Sequence, residues 1–231
     1  MTLVLVFFNA RGISNKEVVL KEFLNDKGAV FCGVSESHSY RDEVALSDTK
    51  WRWDTGPEGK PSGIGLGPSG GIGALIDTTR TKASAVAEGK YTLWHRIDLS
   101  GPNRDMGGGD GGANIPLVVG TGYFPSAQNK AGHREANDEL FQFLSKFRLE
   151  GYLVVFGGDL NAHTGANGCT MEVDEAGRML METADLTDMA MVNMVPGLTK
   201  GGPSRVQVRV DEVQESTVDY VMCSSALLPL V

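Results

Sequence analysis

Val154-Val155-Phe156-Gly157-Gly158-Asp159-Leu160-Asn161-Ala162 is the stretch on which the reading of this chain turns. Leu153–Phe156 is a short apolar run with β-branched and aromatic residues, the composition of a buried strand. It runs without a break into two glycines, an aspartate and an asparagine. In α/β folds reactive groups collect where strands end and loops begin, because the sheet holds those positions rigidly.

Working outward, short apolar runs alternate with helical patterns, the signature of an α/β fold. Strands are predicted at Leu3–Phe8, Val30–Val34, Leu117–Gly122, Met189–Met194 and Ser216–Cys223, with Ile72–Ile76 and Thr92–Leu99 as two strands of a meander. A helix is predicted near Lys16–Asn25 with Val18, Val19, Phe23 and Leu24 on one face. A second, Glu135–Phe147, offers Leu140, Phe141, Phe143, Leu144 and Phe147 to the core, and a third lies near Glu175–Ala184. Gly56–Gly71 is dense in Gly and Pro and reads as a long surface loop. Gly107–Gly112 reads as a flexible insertion, with no strand-to-helix frame for a phosphate cradle. No internal boundary or repeat is visible, so residues 1–231 read as one domain.

The 231 residues with 41% apolar content suffice for a proper core. Net charge is −8, with 21 Lys and Arg against 29 acids. Non-specific DNA binding comes from basic residues displacing counterions, so this balance weighs against a protein whose main task is gripping nucleic acid. Cys32, Cys169 and Cys223 are sparse and unpaired in spacing, which points to a reducing, intracellular setting in nucleus or cytoplasm. Cys32 and Cys223 lie in apolar runs and read as buried thiols. The apolar start lacks a basic leader and reads as a first strand, and no stretch is long enough to span a membrane.

Polar residues stand at the ends of the apolar runs: Asn9, Glu36, Tyr123, Asp159 with Asn161, and Asp219. Singly, each has an ordinary explanation as a helix cap, a loop acid, a packed aromatic or a turn former. Their order and shared placement carry the argument.

That order resembles the endonuclease/exonuclease/phosphatase superfamily over nearly the whole chain. Val154–Ala162 looks like its strand-Gly-Asp-hydrophobic-Asn element, and Thr217-Val218-Asp219-Tyr220-Val221 is similar to its penultimate catalytic strand. Gly33-Val34-Ser35-Glu36-Ser37-His38 resembles the strand that delivers a metal-binding glutamate, and Gly122-Tyr123-Phe124-Pro125 its Tyr-x-Pro element. Phe8-Asn9-Ala10-Arg11-Gly12-Ile13, followed by Asn15-Lys16, looks most like the endonuclease domains of non-LTR retrotransposons. Gly71–Ile76, Gly177–Leu180 and Val192-Asn193 fit that branch too. AP endonucleases of DNA repair usually carry an acid at the position of Arg11, which argues against the repair branch.

The resemblance implies a four-layer α/β sandwich, two packed mixed β-sheets flanked by helices, here lacking its last strand. It implies a DNA-nicking phosphodiesterase using Mg²⁺, or Mn²⁺, with Glu36 and Asn9 at the metal. Asp159 would align or deprotonate the attacking water, and Asn161 would donate to the developing charge. Tyr123 would touch a phosphate oxygen, Arg11 would contact substrate, and Asp219 would orient a histidine. In the family that histidine follows in a Ser-Asp-His element. None of His38, His95, His133 and His163 falls after Asp219, and the chain ends at Val231. The expectation is a truncated chain, or one naturally lacking this element, with weak or no hydrolysis, and a homodimer through the uncovered C-terminal sheet edge. His163 lies on the loop beyond the motif and reads as a loop histidine.

Two alternatives stay open: an enzyme of the same fold acting on a non-DNA phosphoester, and a catalytically dead scaffold or binding protein. A dinucleotide-binding domain fails, because Gly63-Ile64-Gly65-Leu66-Gly67 follows no predicted strand and opens no helix. No G-x-S-x-G element supports a serine hydrolase. Trp51 and Trp53 read as packing residues, and Arg178, Arg205 and Arg209 as solvated charge.

Overall fold

A computed structural model describes residues 3–38, 47–57, 60–61, 68–98, 116–165, 172–195, 197–198, 205–209 and 212–231, with the backbone alone at 60–61, 68–69, 205–209 and 212–216. The strands are β1 Leu5–Asn9, β2 Phe31–Ser35, β3 Trp51–Thr55, β4 Lys60–Pro61, β5 Pro68–Ser69, β6 Ile72–Asp77 and β7 Lys82–Glu88. They continue with β8 Thr92–Asp98, β9 Leu117–Tyr123, β10 Leu153–Asp159, β11 Met189–Met191, β12 Arg205–Arg209, β13 Glu212–Ser216 and β14 Asp219–Ser224. The α-helices are α1 Glu17–Asp26, α2 Lys130–Leu149 and α3 Glu175–Leu186. No described helix is long and apolar enough to cross a membrane.

Two mixed sheets form the centre, one of four strands in the order β1-β2-β6-β3 and one of six in the order β11-β14-β10-β9-β8-β7. Period-two alternation along the strands divides the apolar residues into three layers. Leu5 and Phe7 of β1, Phe31 of β2 and Leu117 and Val119 of β9 meet between the sheets. Cys32 and Val34 of β2 turn the other way, onto Leu20 and Leu24 of α1. Val154 and Phe156 of β10 pack outward under Leu140, Leu144 and Phe147 of α2 and Leu180 of α3. The result is a four-layer α/β sandwich. Asn129 caps α2 by accepting from the Gly132 N–H at 3.1 Å, and Asp174 caps α3 by accepting from Gly177 at 2.6 Å.

Several expectations change. Val18, Val19 and Phe23 are exposed on α1, and the buried face is Leu20 and Leu24, so a cluster of apolar residues misplaced the helix's inner stripe. Phe141 is exposed on α2, while His133, Ala136 and Asn137 are buried there. The strands predicted as one meander belong to different sheets: β6 pairs with β2 and β3, and β8 with β7 and β9. β3, β7 and the hairpin β12–β13 were not predicted. The predicted strand at Met189–Met194 is a short strand continued by a 3₁₀ turn, Val192–Met194.

Trp51, Trp53, Cys32 and Cys223 are buried, as read. Arg178 is exposed; the backbone alone is described at Arg205 and Arg209. Gly107–Gly112, Gly63–Gly67 and Cys169 lie outside the described residues. Of the predicted Gly-rich surface loop, the described Gly56, Gly70 and Gly71 are buried.

Candidate active site

The two parallel pairs of the sandwich, β1 with β2 and β9 with β10, pack against each other and end on the same side. Alternation then selects what faces inward there. Leu5 and Phe7 point into the inter-sheet layer, so Asn9 does too. Gly157 lies on the same face, because a Cβ on it would strike the Phe7 ring, and Asp159 follows two residues later. Tyr123 and Asp219 are the register partners of Asp159 on either side, so all three stand in one row across the sheet.

The two sheets meet through this row. Asn9 Nδ2 donates to Asp159 Oδ2 at 2.8 Å, a bond between residues 150 positions apart. The Asn161 N–H donates to Asp159 Oδ1 at 3.1 Å. Asp159 is 4% exposed, and its carboxylate is held through both oxygens. Asn9 Oδ1 accepts the Arg11 N–H at 3.1 Å, which fixes the amide orientation. Asn161 Nδ2 donates to the Phe124 carbonyl at 2.9 Å, tying the end of β10 to that of β9.

Glu36 follows β2 directly and leaves the strand with φ +50°. Its carbonyl accepts the Gly12 N–H at 2.8 Å. Its carboxylate faces the Tyr123 phenol, and His38 Nε2 lies 4.0 Å from it. The Tyr123 phenol is pushed well above the ordinary tyrosine range by burial first, then by the negative charges of Glu36 and Asp159. It therefore stays protonated and remains a donor.

Of the six described non-glycine residues with positive φ, Arg11, Glu36, His38 and Asn161 gather at this end. Each such conformation costs about 1–3 kcal/mol and tends to cluster where geometry serves function. Two glycines are required by contact. A Cβ on Gly158, at φ +150°, would lie 2.0 Å from the Gly122 carbonyl oxygen, and one on Gly157 would lie 2.5 Å from Phe7 Cγ. The Gly-Gly pair thus lets β10 approach both β9 and β1.

Among the residues singled out from sequence, Asn9, Glu36, Tyr123, Asp159 and Asn161 converge, and Asp219 stands beside Asp159. The Asp219 carbonyl accepts from Asn193 Nδ2 at 3.3 Å, and Asn193 Oδ1 accepts the Val221 N–H at 2.7 Å. β14 therefore lies between β10 and β11 with Asn193 bridging its start, rather than at the sheet edge. Arg11 reaches the site through its backbone, and its side chain is exposed. His163 sits at the entry to α3, with its N–H on the Asp174 carboxylate at 3.2 Å.

Sequence reasoning missed His38 and Gly70. A Cβ on Gly70 would lie 3.0 Å from the Tyr123 ring, and its carbonyl accepts the His38 N–H at 2.9 Å. The local signal was a glycine pair, which also marks ordinary loops.

Among the described residues no three His, Cys, Asp or Glu side chains form a dedicated metal cage.

No protein-family model matches the sequence, and no curated protein matches it. Solved structures match over almost the whole chain. The endonuclease domain of TRAS1, a telomere-specific non-LTR retrotransposon, is 15% identical with a TM-score of 0.64, over 99% of this chain and 88% of that one. The AP endonuclease LMAP from Leishmania major is 12% identical with a TM-score of 0.69, over 96% of this chain and 79% of that one. The 3′ phosphatase NExo from Neisseria, bound to a product DNA hairpin, is 10% identical with a TM-score of 0.68, over 98% and 88%. The chain has the endonuclease/exonuclease/phosphatase fold.

Proposed function

We propose that this chain is a phosphodiesterase that nicks DNA with the help of Mg²⁺ or Mn²⁺, in the setting of a retrotransposon, and does so weakly, since no histidine follows Asp219 to serve beside it. The observation that carries the reading is the Asn9–Asp159 bond of 2.8 Å. It joins the two sheets where Glu36, Tyr123 and Asn161 also gather. Likeness to the TRAS1 endonuclease domain along 99% of the chain supports the mobile-element setting.

Asp159 is the water-orienting base, because two donors fix the direction of its carboxylate. Asn161 has a second amide hydrogen besides the one on Phe124, and it supplies this to the developing charge. The Tyr123 hydroxyl, kept protonated, donates to a phosphate oxygen. Asp219 backs the Asp159 row, and Arg11 contacts the DNA backbone from the exposed rim. Glu36 and the Asn9 amide oxygen would hold the metal, a set that suits Mg²⁺, an ion that uses one or two carboxylates and keeps several waters. When bound, the ion polarises the phosphate and steadies the departing alkoxide.

A second reading, hydrolysis of a non-DNA phosphoester, is favoured by the net charge of −8. Binding of a fluorescent duplex across a salt series separates the two. A DNA endonuclease loses affinity steeply as salt rises. Salt-insensitive or absent DNA binding, together with cleavage of small phosphoesters, would leave only the second reading.

A further inference from the structure

His133 lies on α2, outside the row of strand-end residues, yet it reaches the loop that carries them. It is 2% exposed, and its Nε2 sits 2.9 Å from the carbonyl oxygen of Leu160, the residue between Asp159 and Asn161. The Leu160 N–H is already bonded to the Val218 carbonyl at 2.8 Å. The two peptides that flank Leu160 are therefore held from Val218, just before β14, on one side and from α2 on the other. The His133 ring also meets the Phe124 ring edge-on, with centroids 5.5 Å apart. Phe124 gives its N–H to the Asp159 carbonyl at 2.9 Å and takes the Asn161 amide on its own carbonyl at 2.9 Å.

A carbonyl oxygen only accepts, so Nε2 carries the proton and Nδ1 is left as a bare acceptor. Nδ1 is buried and has no hydrogen-bond partner among the described residues. A buried unpaired acceptor is costly, and a leucine would fill the space without it. What the imidazole adds in return is the donor to Leu160.

We infer that His133 is a positioning residue, which fixes the Asp159–Asn161 loop from α2 so that carboxylate and amide keep their mutual geometry; the catalytic part of this inference rests on the phosphodiesterase reading above. The contact acts through backbone, since His133 touches neither functional side chain. Beyond the motif the buried Tyr220 hydroxyl lies between two carbonyl acceptors, Thr217 at 2.7 Å and Ala162 at 2.9 Å, and continues the anchoring.

The test compares wild type with H133L, which fills the space without a donor, and with H133Q, which restores an amide donor. N137L is the control: Asn137 is a buried polar residue on the same helix that donates to Thr183 of α3 at 2.9 Å instead of to the loop. Amide hydrogen exchange over residues 157–164 is measured alongside kcat and KM for nicking a duplex oligonucleotide with Mg²⁺. H133L should raise exchange in that segment about tenfold, as expected for loss of one buried hydrogen bond. It should lower kcat about 10- to 100-fold with KM little changed. H133Q should recover most of both, and N137L should alter neither. Unchanged segment exchange in H133L, or an equal rise in N137L, overturns the inference. A wild type that shows no nicking sinks the phosphodiesterase reading instead, and the exchange comparison then decides the positioning role by itself.

Discussion

Gly157→Ala is the sharpest test of how the two sheets come together. A Cβ at this position would lie 2.5 Å from Phe7 Cγ and 2.7 Å from each Cδ. Carbon atoms in contact prefer about 3.5–4.0 Å, so the overlap is about 1 Å against three ring atoms together. The ring already packs close on Gly33, where an added Cβ would lie 2.9 Å from Phe7 Cδ1, and the Thr121 hydroxyl fills the same space, 2.2 Å from that position. Overpacking of this kind costs about 1–3 kcal/mol, and the hemmed ring places this case at the upper end. For a chain of this size that is a fall in Tm of about 5–10 °C.

Urea denaturation of wild type, Gly157→Ala, Phe7→Leu and the double variant measures the coupling. Phe7→Leu alone loses about 1 kcal/mol of packing but removes the atoms that clash, so the double variant should be more stable than the sum of the singles by at least about 1 kcal/mol. Two results would rule out this clash: a Gly157→Ala protein within about 0.5 kcal/mol of wild type, or strict additivity in the cycle.

The Asp48 carboxyl is held down to about 2, chiefly by the hydrogen bond from Lys21, then by the backbone N–H groups of Trp51 and Lys50. Its folded value is depressed, so its stabilisation is complete above the ordinary carboxylate value of about 4 and is lost as pH falls towards about 2. Because the group is well exposed, screening limits the effect to about 1 kcal/mol or less. Asp48→Asn should be less stable than wild type near neutral pH, with the gap narrowing as pH falls through about 2 and closing only below it, read from urea midpoints across that range. Tyr123→Phe should lower kcat about 10²- to 10³-fold if the phenol donates to the phosphate. Because burial, Glu36 and Asp159 raise this phenol, the wild-type rate should show no alkaline loss from Tyr123 up to about pH 10, the ordinary tyrosine value. A loss near or below that pH that Tyr123→Phe abolishes would contradict the assignment.

The sandwich and the order of its strand-end residues were legible because both are written locally. An apolar run followed by Gly-Gly-Asp-Leu-Asn tells of a strand and its end without knowledge of partners. The convergence itself has a simple cause, since Asn9, Tyr123, Asp159 and Asp219 share the inward parity of their strands. What stayed hidden was non-local. Ile72–Asp77 and Thr92–Asp98 resemble one meander until β6 pairs with β2 and β8 with β9. Val18 and Val19 look like core residues, but the face that α1 turns to β2 is set by Leu20 and Leu24. Lys82–Glu88, with its alanines and charges, has little strand character, yet it forms the exposed edge beside β8. His133 looked like any polar residue. Only its shared face with Ala136 and Leu140 hinted that the imidazole points inward.

In the proposed function the Asp159 end of the sandwich cuts phosphodiesters. The direct measurement is conversion of supercoiled plasmid to open circles, with Mg²⁺ and with EDTA, by wild type and by Asp159→Ala. The expected result is nicking by wild type that EDTA stops and Asp159→Ala abolishes, with both proteins folded by circular dichroism. Nicking that persists in folded Asp159→Ala, or a wild type that leaves the plasmid supercoiled with Mg²⁺ present, would contradict it.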